Sequence, residues 1–292
     1  MIDVIVPLFN KESKIVRCLE SVINQTLLPN KLIIIDDGST DNSKISAERV
    51  LNRYCGRYEI ITTKNNGVSS ARNFGLQSAE SSYIAFLDAD DFWDDSYLEN
   101  ALNLLMEHSD IGVLSFFHRV KKGAKVFMPN QGVGNNFSGF LKSYPSSARS
   151  GSPVHSSKVI IKKSLLEGIG GFPEGNGLTE DLYVWLRLSK VSRFYISNKC
   201  LVTVDKGIDP SRPSRLGMQP YILEFFLSTS TFSSLNKDEV KYLRYIYVYQ
   251  SLYAIRYGNR VESMSRIRLG IRYFPLFSVF LKILVVIFTR RK

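Results

Sequence analysis

The segment YIAFLDADDFW, residues 83–93, decides the fold of this 292-residue chain. It opens with an apolar run and then ends abruptly in three carboxylates, Asp88, Asp90 and Asp91. A short apolar run bounded by charge predicts a buried strand, and carboxylates that follow such a strand emerge at the carboxyl edge of a sheet. Open α/β sheets bind their ligands at that edge. The segment therefore predicts an α/β fold with a polar site at one edge of the sheet.

Crowding of the three carboxylates suggests a bound cation. Carboxylates within so few residues repel one another and lose hydration when they are half buried, so a positive group should offset them. Hard oxygen ligands suit Mg²⁺ or Mn²⁺. The alternative is an acidic turn or helix cap, because aspartate is common immediately before helices.

Before this segment, short apolar runs that predict strands alternate with apolar residues at the spacing of a helix. The predicted strands are 2–7, 31–37 and 58–63, and the predicted helices between and after them lie at 15–23, 43–54 and 67–79. Strands that alternate with helices predict βαβ units and a largely parallel sheet. The sequence lacks both GxGxxG after the first strand and a Walker loop, which argues against dinucleotide-dependent dehydrogenases and P-loop NTPases.

Beyond residue 96 the pattern is less regular. We predict a helix at 97–106, strands at 111–118 and 158–161, and a helix after Thr179, which should act as its N-cap. Residues 121–151 are polar with little periodicity, and 168–177 are rich in turns. We expect a catalytic domain at 1–215, with a nucleotide-binding half at about 1–95 and an acceptor-binding half at 96–215. Residues 216–292 should form a helical, basic and aromatic extension.

Positive charge is concentrated in the extension. Of the net charge of +11, the part from Lys241 onward carries +10, since eleven lysines and arginines stand there against one acid, Glu262. The apolar run 273–288 is shorter than the roughly 20 residues that cross a bilayer and is interrupted by Lys282. We therefore expect the tail to lie on an anionic membrane surface. The alternative is that it packs on the catalytic domain or on a second subunit.

Other features of composition narrow the setting. Three widely spaced cysteines without CxxC favour a reducing compartment, and the chain does not open with a secretory signal. No nucleic-acid motif accompanies the basic tail, so we expect no nucleic-acid partner. Together these features predict a cytoplasmic protein that is peripheral to the inner face of the cell membrane.

Six motifs in order resemble the family 2 glycosyltransferases with the GT-A fold. They are VIVPLFN (4–10), IIIDDGSTD (33–41), NNGVSSARNFG (65–75), YIAFLDADDFW (83–93), GIGGFPEG (168–175) and TEDLYVWLRLS (179–189). The resemblance implies transfer of a sugar from a nucleotide-diphosphate donor to a glycan or lipid-linked acceptor, with inversion at the anomeric carbon. We expect the donor to be UDP-linked. The QxxRW signature of processive synthases is absent, which favours addition of a single sugar in surface polysaccharide assembly.

The resemblance also assigns roles. It implies donor binding by Pro7, Phe9, Asp37, Asn66, Arg72 and Asp88. Asp90 matches the ligand of Mn²⁺ or Mg²⁺, whereas Asp91 is expected to be a bystander. Asp181 matches the catalytic base, and a carboxylate at a helix N-terminus is stabilised by the helix dipole.

Some assignments are less specific. Glu180 and Trp185 are expected on the acceptor side, although Glu180 could be only a first-turn acid and Trp185 could belong to the core. Many relatives carry a histidine after the TED helix that this chain lacks, and Lys206, Arg212 or Arg215 would then supply positive charge to the leaving diphosphate.

Two other functions remain open. A sugar-phosphate nucleotidyltransferase would share the sheet and the metal, but should carry a Gly-rich loop where this chain has PLFNKES. A noncatalytic, membrane-bound relative would not need Asp37, Asp90 and Asp181, all of which are present.

Overall fold

A computed structural model of the chain describes residues 1–175, 178–207, 218–228 and 230–289. The strands are β1 (Ile2–Leu8), β2 (Lys31–Asp36), β3 (Tyr58–Thr62), β4 (Tyr83–Phe86), β5 (Phe92–Trp93), β6 (Ile111–Lys122), β7 (Lys125–Phe127), β8 (Gly139–Phe140), β9 (Val159–Lys162) and β10 (Arg193–Asp205). The helices are α1 (Glu12–Ile23), α2 (Ser43–Leu51), α3 (Val68–Ser78), α4 (Tyr97–Glu107), α5 (Tyr144–Ser150), α6 (Lys163–Gly168), α7 (Glu180–Leu188), α8 (Tyr221–Ser228), α9 (Lys237–Tyr257), α10 (Arg260–Gly270) and α11 (Pro275–Thr289).

The chain divides into two compact units. The first comprises Met1–Gly175 and Val184–Ile208, and the second comprises Asn176–Tyr183 and Asp209–Lys292. The first unit holds one sheet with the strand order β3-β2-β1-β4-β9-β6-β10-β5, to which β7 and β8 are attached.

One half of this sheet is parallel, as the sequence predicts. Strand β1 pairs in parallel with both β2 and β4, and β2 pairs in parallel with β3. Because the four strands run the same way, their carboxyl ends share one edge of the sheet.

The side chains of β1 alternate between the two faces of the sheet, and a different helix packs on each face. Val4, Val6 and Leu8 join the core cluster that contains the buried side chains of α1, while Ile5 lies on the other face. On that face a Cβ at Gly75 of α3 would come within 2.4 Å of Ile5, so α3 packs against the sheet with its backbone close to the strand.

Strand β10 was not predicted from the sequence. It pairs in parallel with β6, and the pairing is interrupted by register shifts around Ser197 and Cys200. Its 13 residues include the exposed pair Asn198 and Lys199, which breaks the apolar run that marks a buried strand. The polar stretch 121–151 likewise contains β7, β8 and α5.

The second unit is helical in its described part. Capping boxes begin both α9, at Asn236 and Glu239, and α10, at Asn259 and Glu262. The buried Tyr247 of α9 connects three helices, because its hydroxyl contacts the Ile267 carbonyl at 3.0 Å and the Ser278 hydroxyl at 2.7 Å. Within the described ranges, none of the helices combines the length and apolar character that crossing a bilayer requires.

The division of the chain into two units differs from the boundaries expected from the sequence. Residues 176–183 were expected in the acceptor-binding half of a 1–215 domain, but they belong to the second unit. The described contacts explain this, because the Tyr183 ring packs edge-on against Tyr221 and Phe225 at centroid distances of 5.0 and 4.9 Å.

Candidate active site

Acidic residues gather at the carboxyl edge of the parallel half. Asp36 ends β2 and Asp37 follows it, while Asp88, Asp90 and Asp91 follow β4. Because β2 and β4 flank β1, both groups come to one edge, as the alternating pattern predicts.

Asp37 organises a loop. Its carboxylate accepts hydrogen bonds from the Thr63 hydroxyl at 3.1 Å and from the amides of Asn66 and Gly67 at 3.0 and 2.8 Å. Gly67 has a φ of +90°, a conformation that suits glycine. The buried carboxylate thus holds residues 63–67, including the exposed Asn66, in front of α3; direct contact of Asp37 or Asn66 with a donor stays a prediction.

Asp88 pairs with Arg72. A guanidinium nitrogen of the buried Arg72 lies 2.9 Å from Asp88 Oδ1, and the guanidinium also stands 5.1 Å from the centre of the Phe172 ring. Burial acts to raise the pKa of Asp88, but Arg72 and His155 outweigh it, so the pKa lies below its ordinary value. Arg72 therefore keeps Asp88 ionised at the sheet edge.

Asp90 pairs with Lys11. The Lys11 ammonium lies 2.6 Å from Asp90 Oδ2, and both side chains are about one third exposed, at 35% and 31%. Arg17 donates to the Asp90 carbonyl at 2.9 Å and to Asp205 at 2.7 Å. Two cations of the α1 region thus offset the acids at this edge.

Asp91 is buried and structural, which corrects the expectation that it is a bystander. Its carboxylate contacts the Ser157 hydroxyl at 2.5 Å and accepts the Asp205 amide at 2.8 Å. Burial, followed by the charges of Asp88 and Asp90, raises the pKa of Asp91 well above its ordinary value. Asp91 therefore joins the loop after β4 to the end of β10.

Ser157 also connects the cluster with Trp93. The Ser157 carbonyl accepts the indole nitrogen of Trp93 at 2.6 Å, and the buried Trp93 ring stacks on Tyr97 at 4.1 Å between centroids. The acidic edge is thereby continuous with the aromatic core behind it.

The residues at this edge fit a divalent cation. Asp88, Asp91 and His155 each offer one ligand atom, and these atoms lie within 4.8 Å of one another. Carboxylate oxygens are ligands that Mg²⁺ and Mn²⁺ prefer. This group differs from the sequence prediction, since it contains His155, which was not among the predicted site residues, and omits Asp90. Both Asp91 oxygens are engaged by the protein, so Asp88 and His155 are the better candidates within this group.

The turn GGF (residues 170–172) is attached to α3 by Asn73, a residue that the sequence did not single out. The Asn73 side chain accepts the Phe172 amide at 2.9 Å and donates to the Phe172 carbonyl at 2.8 Å. Gly170 and Gly171 have φ values of +89° and +72°, and a Cβ on Gly171 would meet Asn73 at 2.6 Å. Asn73 lies beside Arg72 within the motif NNGVSSARNFG, but the sequence assigns it no role of its own.

The TED segment begins α7. Asp181 is partly exposed in the first helical turn, and Glu180 is buried at 8% exposure. Thr179 stands before the helix as expected, but its φ is +64°, a strained value for a β-branched residue, and its hydroxyl accepts the Ile222 amide at 3.4 Å.

Trp185 is a core residue, which is the alternative that the sequence left open for it. Its side chain is fully buried, and the Phe172 ring meets it edge-on at 6.1 Å. A buried ring offers no face on which a sugar could stack.

The remaining predicted residues lie as follows. Pro7 is buried within β1, whereas Phe9, just after the strand, is 40% exposed. Lys206 is exposed and its amide donates to the Lys121 carbonyl at 2.8 Å. Arg212 and Arg215 lie outside the described residues.

The mixed, mainly parallel sheet with acids at its edge defines a GT-A-like fold. S. aureus TarS, solved as residues 1-349 in complex with UDP-GlcNAc, matches 99% of this chain and 89% of that chain with a TM-score of 0.63 and 18% identity. The mannosyltransferase PcManGT from Pyrobaculum calidifontis, solved in complex with GDP-Man and Mn²⁺, matches 98% and 86% with a TM-score of 0.60 and 15% identity. At these identities the likeness shows the fold alone.

Sequence comparison identifies the family. The profile of glycosyl transferase family 2 matches residues 3–170, more than half of the chain, and the chain belongs to this family. It is 41% identical over 110 residues to the minor teichoic acid biosynthesis protein GgaB of Bacillus subtilis, a match of 37% of this chain and 12% of GgaB. It is 29% identical over 191 residues to an uncharacterized glycosyltransferase of Rickettsia conorii, covering 64% of this chain and 30% of that protein. The chain thus spans less than one third of these relatives.

Proposed function

We propose that this protein transfers a single sugar from a UDP-linked donor to a glycan or lipid-linked acceptor, with inversion, during assembly of a surface polysaccharide. The observation that carries the proposal is the acidic edge, where Arg72 holds Asp88 and Lys11 holds Asp90 in front of parallel strands. Ligands bind at this edge in open α/β sheets. The UDP-GlcNAc complex of TarS supports the donor class.

Different side chains would bind the donor, hold the cation and accept the proton. Arg72 keeps Asp88 ionised and oriented, and Asp37 holds the 63–67 loop in place for the nucleotide. Asp181 would act as the general base that takes the proton of the acceptor hydroxyl. Asp90, together with Asp88 and His155, would hold Mn²⁺ or Mg²⁺, which would supply positive charge to stabilise the departing diphosphate.

The tail would place the enzyme at a membrane. Helix α11 exposes Leu276, Val279, Phe280 and Ile283, which recur at helical spacing. Basic residues near an anionic surface contribute about 1 kcal/mol each, and the tail carries an excess of them. We propose a peripheral site on the cytoplasmic face, where a lipid-linked acceptor is accessible; packing against a second copy is the alternative.

A panel of nucleotide sugars with and without Mn²⁺ tests the proposed activity. We expect release of UDP from at least one UDP-sugar, dependent on the cation and on the acceptor. Asp90→Ala should lower this activity at least 100-fold, whereas Asp95→Ala, at an exposed acid of the same region, should retain it. Full activity of Asp90→Ala would refute the role of that carboxylate.

A further inference from the structure

Lys11 occupies an unusual position at the start of α1. It is the N-cap residue of this helix, with φ −127° and ψ 31°, where serine, threonine, aspartate or asparagine is preferred. A lysine side chain offers no acceptor to the first helical amides, and its positive charge is unfavourable at the positive end of the helix dipole. A residue that breaks local rules in this way commonly serves function.

The backbone around Lys11 is held firmly. The Lys11 amide donates to the Ser43 hydroxyl at 2.7 Å, and the preceding Asn10, at φ +49°, donates its amide to the Ser39 hydroxyl at 3.1 Å. The Asn10 side chain in turn accepts the Thr40 amide at 2.8 Å. The 39–43 turn thus fixes the backbone position of Lys11, while its side chain is partly exposed.

The Lys11 ammonium is paired with the carboxylate that is proposed above to bind the cation. It lies 2.6 Å from Asp90 Oδ2, so a divalent cation bound at that oxygen would face a positive charge at close range. Exposed ion pairs contribute only about 0–1 kcal/mol, so the pair can be broken without a large cost. Lysine and cation therefore compete for one carboxylate.

We propose that Lys11 is an internal counter-ion of Asp90, which hinders binding of the divalent cation until a nucleoside diphosphate offers the lysine another anion. This inference rests on the proposed function of the same edge. A lysine ammonium is a compact charge with three donors on a flexible stem, which suits phosphate oxygens. The cation and the nucleotide then bind cooperatively, and each raises the affinity for the other by the same factor.

Direct binding of Mn²⁺, followed by the electron paramagnetic resonance signal of free Mn²⁺ with and without UDP, tests the proposal. Without UDP, Lys11→Met should bind Mn²⁺ at least threefold more tightly than the wild type. The factor by which UDP tightens Mn²⁺ binding should be at least threefold smaller in Lys11→Met. Lys11→Arg keeps the charge and should behave like the wild type.

Lys14→Met is the matched control, because Lys14 lies one turn along the same helix and pairs with Asp205 at 3.1 Å. It removes the same charge and should leave Mn²⁺ binding without UDP within twofold of the wild type. Equal dissociation constants for Lys11→Met and the wild type, with binding abolished by Asp90→Ala, would overturn the role of Lys11 alone. If neither protein bound Mn²⁺ with UDP present, the cation site and the role of Lys11 would both be refuted.

Discussion

At the scale of single residues, the three aspartates after β4 differ because their partners differ. Asp88 faces Arg72, Asp90 faces Lys11, and Asp91 is held by Ser157. The sequence places all three at the sheet edge, but these partners come from distant parts of the chain. Their separate roles could therefore not be predicted from spacing alone.

Asp181→Asn tests the proposed base. Asparagine has nearly the same shape but cannot accept the acceptor's proton, so transfer should fall at least 100-fold while donor affinity stays within about threefold. Isothermal titration with UDP and a transfer assay measure the two quantities separately. Retained transfer in Asp181→Asn would require another base.

A buried lysine gives the stability a defined pH dependence. The Lys158 ammonium is fully buried and donates to the Ser152 carbonyl at 2.6 Å and to Gln131 at 3.2 Å, and burial lowers its pKa to about 7. Between pH 7 and the unfolded value of 10.5, the unfolded chain binds more protons than the folded one, so the free energy of unfolding rises with pH. Below pH 7 both states are protonated and the slope vanishes.

Lys158→Met removes this titration. Relative to the variant, the wild type should gain about 2 kcal/mol in free energy of unfolding between pH 7 and pH 9. Urea denaturation at a series of pH values measures the difference, and Lys162→Met, at an exposed lysine nearby, should show no such change relative to the wild type. Parallel curves for wild type and Lys158→Met would contradict the assignment.

At the scale of elements, the sequence predicts what a single run of residues determines. Strands β1 to β4 are each short and mainly apolar, so their positions and parallel pairing follow from pattern alone. Strand β10 was not predicted because polar residues interrupt it at its register shifts, and its partners lie far away in the chain. Helix α3 was also predicted from the sequence, but the Asn73 link between α3 and the GGF turn depends on tertiary contact.

Asn73→Ala should loosen the GGF turn. Both the amide and the carbonyl of Phe172 would lose their side-chain partner, and leaving buried polar groups unpaired costs about 1–3 kcal/mol. Urea denaturation should show a loss of this size, whereas Gln77→Ala, at an exposed position of the same helix, should be nearly neutral. An unchanged free energy of unfolding for Asn73→Ala would show that the Asn73 hydrogen bonds do not stabilise the turn.

At the scale of the whole molecule, composition predicts the division into a nearly neutral body and a basic helical tail. It does not predict that 176–183, which carries Asp181, groups with the helices. That grouping depends on aromatic packing between Tyr183 and α8, which no periodicity in the sequence reveals.

The apolar face of α11 should govern association with membranes. Replacing Val279, Phe280 and Ile283 by serine should reduce cosedimentation with phosphatidylglycerol vesicles at least fivefold, because these side chains are 53–58% exposed and supply apolar area to the interface. Deleting residues 275–292 should have the same effect. Met106→Ser, at a 75% exposed position of α4, is the control.

Unchanged cosedimentation of the triple variant would contradict the membrane proposal. Analytical ultracentrifugation of the same variant would then show whether the face instead joins two copies of the chain. A shift of the wild type from dimer to monomer on substitution would identify that contact.

The contact between Trp93 and Ser157 gives the protein an optical reporter of its own. The chain has two tryptophans, Trp93 and Trp185, and both indoles are buried. Only Trp93 is joined by its ring nitrogen to the carbonyl of a residue whose hydroxyl touches the acidic edge. In a Trp185→Phe background, tryptophan emission would come from Trp93 alone, so cation and nucleotide titrations could be followed by fluorescence, without a label or a turnover assay.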